Sequence, residues 1–191
     1  MNKLLIAMLF MSTMNVKSFA QQMVPGQTGV ELSYSVFPKS PEKQNYIVSM
    51  GFVSYIKNGN YFFGLAEYSR KNYKYTNYAI PIDTFLLGGG YSFYVWGDFM
   101  RNVNLNLGIG ALVGYEQVNG GDELLYDGSI LNLTDNFVHG ASGKLSVESY
   151  LTGHWVFLVN GQLRFLKNSQ MARFHSLFGF GIRYNFKSNI K

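Results

Sequence analysis

Hydrophobic and polar residues alternate with a period of two along most of the chain, most clearly from Val103 to Tyr115. One phase of this segment is apolar and contains Val103, Leu105, Leu107, Ile109, Ala111, Val113 and Tyr115. The opposite phase is mostly small or polar and contains Asn104, Asn106, Gly108, Gly110, Leu112 and Gly114. Successive side chains of a strand point to opposite faces, so this period predicts a strand with one apolar face.

The same alternation recurs and predicts eight strands in all. Their expected bounds are Val30–Phe37, Tyr46–Ile56, Tyr61–Lys71, Thr84–Val95, Val103–Tyr115, Phe137–Leu151, Trp155–Leu166 and Phe174–Phe186. Short turns join strands 2–3, 4–5 and 6–7, and mostly longer loops join the other consecutive pairs. The first short turn contains Asn58-Gly59, a strong hairpin signal because a type I′ turn needs positive φ at both central residues.

Composition decides which side of this sheet faces water. The 191 residues include 17% aromatics and 21 glycines but only 14% charged residues, against roughly a quarter charged in a typical soluble domain. A soluble lipocalin-like barrel is the alternative, with its apolar face inward. The apolar phase here carries too many Phe and Tyr for so small an interior. Short turns at one end and longer loops at the other are typical of outer-membrane barrels. We therefore expect an all-β fold, an eight-stranded antiparallel up-and-down transmembrane β-barrel of the outer-membrane type.

The polar phase of the strands carries charges of both signs. The interior of an eight-stranded barrel is filled by its own side chains, so buried charges there must find partners. We expect a structural network in the barrel interior made of Glu67, Lys144, Glu148, Arg164 and Arg183. The side of Glu67 stays open at this point, because it shares its phase with two apolar residues.

The first twenty residues are expected to form a cleaved Sec signal peptide. Lys3 gives a basic start, an apolar run of about eleven residues follows, and Ser18-Phe19-Ala20 fits a small-x-small cleavage site. The expected organisation is a signal at 1–20 and a single β-barrel domain at 21–191, exported to the outer membrane of a Gram-negative cell. Removing the signal takes away Lys3 and Lys17 and lowers the formal net charge from +5 to +3.

Neither nucleic-acid binding nor catalysis has a strong signal. The basic residues Arg70, Lys71 and Lys74 alternate with tyrosines, a pattern that can bind single strands, but three charges at a strand end are more often a solvated edge, which disfavours direct nucleic-acid binding. His175-Ser176 suggests a nucleophile and base, yet adjacent strand residues point to opposite faces. We expect no enzyme activity, no cofactor and no metal site, because the sequence contains no metal-ligand spacing or phosphate-binding loop.

The longest loop, Glu116 to Asp135, is the candidate for partner contact. Its second half is unusually apolar for an exposed loop, which suggests packing on itself or on a partner. The residues singled out there are Leu124, Leu125, Tyr126 and Asp127.

Several short motifs recur in an order and spacing that resemble one family. They are Met23-Val24-Pro25-Gly26-Gln27-Thr28-Gly29, Lys57-Asn58-Gly59-Asn60-Tyr61, Gly89-Gly90-Tyr91-Ser92-Phe93, Gly114-Tyr115-Glu116, Tyr126-Asp127-Gly128, Asp135-Asn136-Phe137 and Arg183-Tyr184-Asn185-Phe186. Together they resemble the TraO family of conjugative-transposon transfer proteins of Bacteroides-type bacteria, over essentially the whole chain after the signal.

The resemblance implies a part in DNA transfer between cells. The expected role is an outer-membrane component of the mating apparatus that scaffolds other conjugal transfer proteins through its loops or its N-terminal MVPGQ segment. Its remaining neighbours would be outer-membrane lipids. Eight strands leave no room for a DNA strand, so we do not expect a DNA conduit. Two alternatives stay open: a general adhesion or stability barrel of the outer membrane, and a lipid-modifying enzyme.

Overall fold

The structure, a computed structural model, describes residues 23–38, 45–75, 78–99, 101–122, 130, 135–170 and 173–186. The signal expected at 1–20 lies outside these residues. Eight strands follow one another along the chain: β1 (Thr28–Val36), β2 (Tyr46–Tyr55), β3 (Tyr61–Tyr75), β4 (Tyr78–Gly97), β5 (Val103–Val118), β6 (Asn136–Tyr150), β7 (Trp155–Lys167) and β8 (Phe174–Asn185).

Each strand pairs antiparallel with the next, and β8 returns to pair with β1. The closing ladder runs from Gly29 opposite Asn185 to Val36 opposite Phe178. The sheet is therefore a closed up-and-down barrel, and the predicted fold class is confirmed. The only other regular elements in the described part of the chain are two three-residue 3-10 turns, at Lys57–Gly59 and Asn119–Gly121. No helix among the described residues has the length and hydropathy needed to cross a membrane.

The two ends of the barrel differ in their connections. We call the end with the β2–β3, β4–β5 and β6–β7 connections the turn rim, and the opposite end the loop rim. At the turn rim Asn58 and Gly59 have φ of 65° and 79°, the positive values that the Asn-Gly pair was expected to supply. Trp96 and Trp155 stand exposed beside two of the turns at this rim, as in the aromatic girdles of outer-membrane barrels.

The β3–β4 connection is a long hairpin rather than the longer loop that the sequence predicted. β3 has 15 residues and β4 has 20, whereas a membrane-crossing strand needs about 9–11. The pairing continues to Tyr75 opposite Tyr78. On this extension Ile80 and Ile82 pack with Val118 of β5 and with Tyr73, so the hairpin carries a small apolar cluster of its own above the loop rim.

The outer surface of the barrel is apolar. A set of large hydrophobic side chains projects outward from all eight strands with a third or more of its surface exposed; it includes Leu32, Met50, Phe52, Phe62, Phe85, Leu87, Leu107, Ile109, Val113, Leu145, Phe157, Leu163, Phe178, Phe180 and Ile182. A monomeric soluble protein rarely exposes a contiguous apolar patch of this extent. Outer-membrane barrels have this distribution, because lipid-facing apolar side chains alternate with lumen-facing ones. A soluble lipocalin-like barrel would instead have its apolar face inside.

Strand β3 departs from the expected rule that large apolar residues point outward. Phe63, Leu65 and Glu67 all face the barrel interior. The ring of Phe63 occupies space left by inward glycines of the neighbouring strands: a Cβ on Gly90 would lie 2.7 Å from it, and one on Gly110 would lie 3.1 Å from it. Because Gly90 on β4 and Gly110 on β5 have no side chains, an aromatic ring from β3 fits inside the barrel.

The same glycines give a test of close strand packing. A Cβ at Gly90 would lie 2.0 Å from the carbonyl oxygen of Ile109 on β5, whereas one at Gly143 on β6 would meet nothing within 4 Å. We predict that Gly90→Ala lowers the free energy of unfolding by about 1–3 kcal/mol, the usual cost of overpacking. Gly143→Ala is the matched control and should leave stability unchanged. Urea titration in detergent, followed by the heat-modifiable shift in gel migration, measures both, and equal stability of the two variants would contradict this packing.

Candidate functional site

Four ion pairs among the described residues lie inside the barrel. Arg183 of β8, whose side chain is fully buried, forms two of them. Nη1 of Arg183 donates to Glu148 Oε2 at 2.9 Å, and Nη2 donates to Glu31 Oε2 at 2.8 Å. Charged groups this far from water require partners with good geometry, and Arg183 has two carboxylates.

A second cation shares one of these carboxylates. Lys144 of β6 donates from Nζ to Glu31 Oε1 at 3.0 Å. Glu31 therefore bridges Lys144 and Arg183 across the lumen, linking β1, β6 and β8. Since Glu31 alternates with the outward residues Val30 and Leu32, its inward position follows from the period of β1.

Three tyrosines complete the surroundings of Arg183 at the turn rim. Tyr61 donates to Glu148 Oε1 at 2.6 Å, and Arg183 donates to the hydroxyl of Tyr55 at 2.7 Å. Tyr150 hydrogen-bonds to Tyr55 at 2.9 Å. The guanidinium also lies 4.6 Å from the centre of the Tyr61 ring, within the range of a cation–π contact. The tyrosine hydroxyls thus provide further hydrogen-bond partners for the buried guanidinium and for Glu148.

A further ion pair, separate from these, lies nearer the loop rim. Arg164 of β7 donates to both carboxylate oxygens of Glu67, with Nη2 at 2.6 Å from Oε2. Arg164 also donates to Gln162 Oε1 at 2.9 Å. A bidentate guanidinium–carboxylate pair of this kind fixes the two charged groups in one plane. It joins β3 to β7 across the lumen.

The structure places all five residues of the expected interior network in the lumen, but in two groups. Arg183, Glu148 and Lys144 belong to the group near the turn rim, and Glu67 and Arg164 form a separate pair. The network expected from sequence omitted Glu31, although its alternation on β1 places it inward. The roles of the tyrosine hydroxyls carried no sequence signal, because they depend on which strands face each other.

These side chains leave little free space in the barrel. The internal cavity has a volume of about 40 Å³ and is lined by Glu31, Ser33, Ser49, Phe63, Glu67 and Lys144, among others. One water molecule needs about 10–15 Å³ of such space, so the cavity has room for only a few. Among the described residues, the lumen is thus crossed by ion pairs and largely filled by side chains.

The N-terminal segment closes the turn rim. Met23 and Val24 are buried, and Met23 packs with Tyr55, Tyr61 and Tyr150. The backbone of this segment is tied to β2, because Gly26 N donates to Tyr55 O and Tyr55 N donates to Gln27 O, each at 2.8 Å. Only Pro25 and Gly26 of the MVPGQ segment are exposed. Most of the segment expected to contact partners is thus bound by the barrel itself.

The remaining expected contact residues have different outcomes. Leu124, Leu125, Tyr126 and Asp127 lie outside the described residues. In the basic cluster on β3, Arg70 donates to both oxygens of Asp83, at 2.6 and 2.7 Å. Lys71 lies 4.8 Å from the centre of the Tyr73 ring and 5.3 Å from that of Phe37. These two cations are engaged within the protein.

His175 and Ser176, the pair considered for catalysis, belong to opposite faces of β8. His175 is buried and faces the lumen, with its ring 6.1 Å from that of Phe37. Ser176 belongs to the opposite phase of β8 and lines a groove on the outer surface. No group of three His, Asp or Glu residues that could hold a metal ion occurs among the described residues.

The buried ion pairs of Arg183 and the more exposed pair Arg70–Asp83 are expected to differ in their effect on stability. Arg183→Met leaves Glu148 and Glu31 buried without their main partner, and removing one partner of a buried pair costs about 3–5 kcal/mol. Arg70→Met removes a cation whose side chain is 41% exposed, where loss of a pair costs at most about 1 kcal/mol. Urea unfolding of the two variants in detergent measures both changes. Similar losses in the two variants would show that the interior pairs are not the fixed contacts described above.

Comparisons with known proteins agree with this architecture. The chain has the same fold as Ail, the attachment invasion locus protein of Yersinia pestis, with a TM-score of 0.54 at 11% identity, covering 85% of this chain and 100% of Ail. The N-terminal β-barrel domain of Pseudomonas aeruginosa OprF gives a TM-score of 0.51 at 11% identity over 84% and 98% of the two chains. Neisserial surface protein A gives 0.50 at 14% identity over 84% and 95%.

Similarity at these identities concerns the fold alone. No curated protein sequence matches the chain significantly. The family model of conjugative transposon protein TraO, however, matches residues 24–186, which span all eight strands and the N-terminal segment after Met23. The protein therefore belongs to the TraO family of conjugative transposon proteins, as the sequence motifs predicted.

Proposed function

We propose that this protein is an outer-membrane component of the apparatus that transfers a conjugative transposon between cells, and that its role there is structural. The observation that carries the proposal is the match of the TraO family over residues 24–186, together with a closed barrel whose outer surface is apolar. Membership in the family supports a part in conjugative transfer, and the apolar outer surface supports a location in the membrane.

The outer membrane is the location that this surface fits. In lipid, a sheet must close because every backbone polar group needs a partner within the protein. The β1–β8 ladder supplies that closure. The turn rim then faces the periplasm and the loop rim faces the cell exterior, since the short connections of such barrels are periplasmic.

The filled lumen supports a structural role. DNA cannot pass a space of about 40 Å³ crossed by ion pairs between β1, β6 and β8. The interior charges all have partners within the barrel, which leaves the two rims as the surfaces for contact. Phe99 at the turn rim is fully exposed, and Ile130 between β5 and β6 is 74% exposed. Exposed apolar side chains at such positions suit contact with other proteins of the apparatus.

Gene deletion and complementation test this proposal. We expect deletion to abolish transposon transfer from the donor cell, while growth and detergent resistance stay normal. The wild-type gene should restore transfer, and so should His175→Ala, because the proposed role needs no catalysis. Donor-to-recipient transfer frequency is the measurement, with recovery of the protein in the outer-membrane fraction as the check on location.

Each alternative predicts a different result. Unchanged transfer with loss of adhesion or detergent resistance would indicate a general outer-membrane barrel and overturn the proposal. Failure of His175→Ala to restore transfer, together with altered lipid A in cells expressing only the wild-type protein, would indicate a lipid-modifying enzyme and also overturn it.

A further inference from the structure

We propose that the loop rim at β6–β8 carries a binding site for one molecule of lipid A, with a phosphate held by Lys167 and Arg173 and an acyl chain in the groove beneath them. The proposal rests on the outer-membrane location and orientation proposed above, which put the loop rim in the outer leaflet. It adds a specific ligand and a specific site to that location.

Two cations at the end of β7 and the start of β8 form the polar half of the site. Lys167 and Arg173 are both exposed and line one groove of about 490 Å³ with Asn136, Asn168 and Gln170. They are held close together by the backbone, since Leu166 N donates to Arg173 O at 2.9 Å. Within the described ranges, none of the ion pairs involves either residue.

Two carboxylates lie near this groove, and neither forms an ion pair with Lys167 or Arg173 among the described residues. Glu116 accepts hydrogen bonds from Ser169 Oγ at 2.8 Å and from Gln170 N at 2.6 Å. Asp135 accepts from the Tyr115 hydroxyl at 3.0 Å and from Val118 N at 3.1 Å. Both carboxylates accept only from neutral groups in these contacts, so neither holds the ammonium of Lys167 or the guanidinium of Arg173, and ammonium and guanidinium groups are the usual protein partners of phosphate.

An apolar groove of about 360 Å³ on the outer surface adjoins the polar one. Its floor is formed by Ala141 and Gly143 of β6, and its walls by Leu163, Phe165 and Phe174. Leu163 and Phe174 are 68% and 75% exposed, and the rings of Phe165 and Phe174 lie 5.1 Å apart. A Cβ added at Gly143 would meet nothing within 4 Å, so the floor is open to an acyl chain.

Phe165 lines both grooves. The cations thus lie directly beyond the aromatic edge of the apolar surface, where the headgroups of a bilayer begin. Two cations beside an apolar groove suit an amphiphile with an anionic headgroup, because Lys and Arg side chains at a membrane surface attract such headgroups. In the outer leaflet the phosphorylated amphiphile is lipid A.

Native mass spectrometry of the full protein in neutral detergent tests the site with three probes: diphosphoryl lipid A, the same lipid A after removal of its phosphates, and inorganic pyrophosphate. We expect the wild type to retain diphosphoryl lipid A in preference to the dephosphorylated form and not to retain pyrophosphate. Lys167→Gln with Arg173→Gln should abolish this preference. Gly143→Phe, which fills the groove floor, should weaken retention of both lipids.

The matched control is Lys57→Gln with Arg101→Gln, which removes two exposed cations at the turn rim and should leave the preference unchanged. Heat-modifiable migration checks that every variant is folded. A preference that survives in the Lys167/Arg173 variant, an equal loss in the control, or retention of pyrophosphate as strong as that of lipid A would each overturn the site. If the protein fractionates with the outer membrane and supports transfer but shows no preference, only this site fails. If it is absent from the outer membrane, the proposed function fails as well.

Discussion

The pairing of β1 with β8 is the constraint on which the rest of the structure depends. A sheet surrounded by lipid cannot leave an edge unpaired, because no water is present to satisfy its N–H and C=O groups. The ladder from Gly29–Asn185 to Val36–Phe178 removes that edge. Closure after only eight strands gives a narrow lumen, and a narrow lumen forces its charged side chains into contact.

The interior shows how this constraint is met. Arg183 is fully buried among Glu31, Glu148 and two tyrosine hydroxyls, and Phe63 fills space that glycines on β4 and β5 leave free. Buried ion pairs are weak sources of stability, because desolvation offsets most of the attraction. Their consequence here is geometric: they connect strands across the lumen and fill most of the space inside it.

Much of the fold could be predicted from the sequence because lipid on one side enforces a strict alternation. On β5 the alternation from Val103 to Tyr115 matches the observed outward and inward residues closely. It fails on β3, where Phe63 and Leu65 point inward, since that arrangement depends on Gly90 and Gly110 on other strands. The hairpin beyond Lys71 was missed for a different reason: Pro81 argues against a strand at that position, and the apolar residues Ile80 and Ile82 pack within the extension instead of facing lipid.

The site could be predicted only in part, for similar reasons. Inward charges follow from the period of each strand, which identified Lys144, Glu148, Arg164 and Arg183 and could equally have identified Glu31. Which charges pair depends on strand tilt and stagger, so the division into two groups required the structure. The burial of Met23 beneath the barrel had no sequence signal, because its partners Tyr55, Tyr61 and Tyr150 come from three strands.

A filled barrel leaves its two rims as the surfaces through which it can act on other proteins, and this is the central claim of our account. Site-specific photocrosslinking in mating-competent cells tests it most directly, with the photoreactive residue placed at Phe99, at Ile130 or, as a lipid-facing control, at Leu107. We predict crosslinks to other transfer proteins from at least one rim position and none from Leu107. Absence of crosslinks at both rims in cells that transfer the transposon normally would contradict the account.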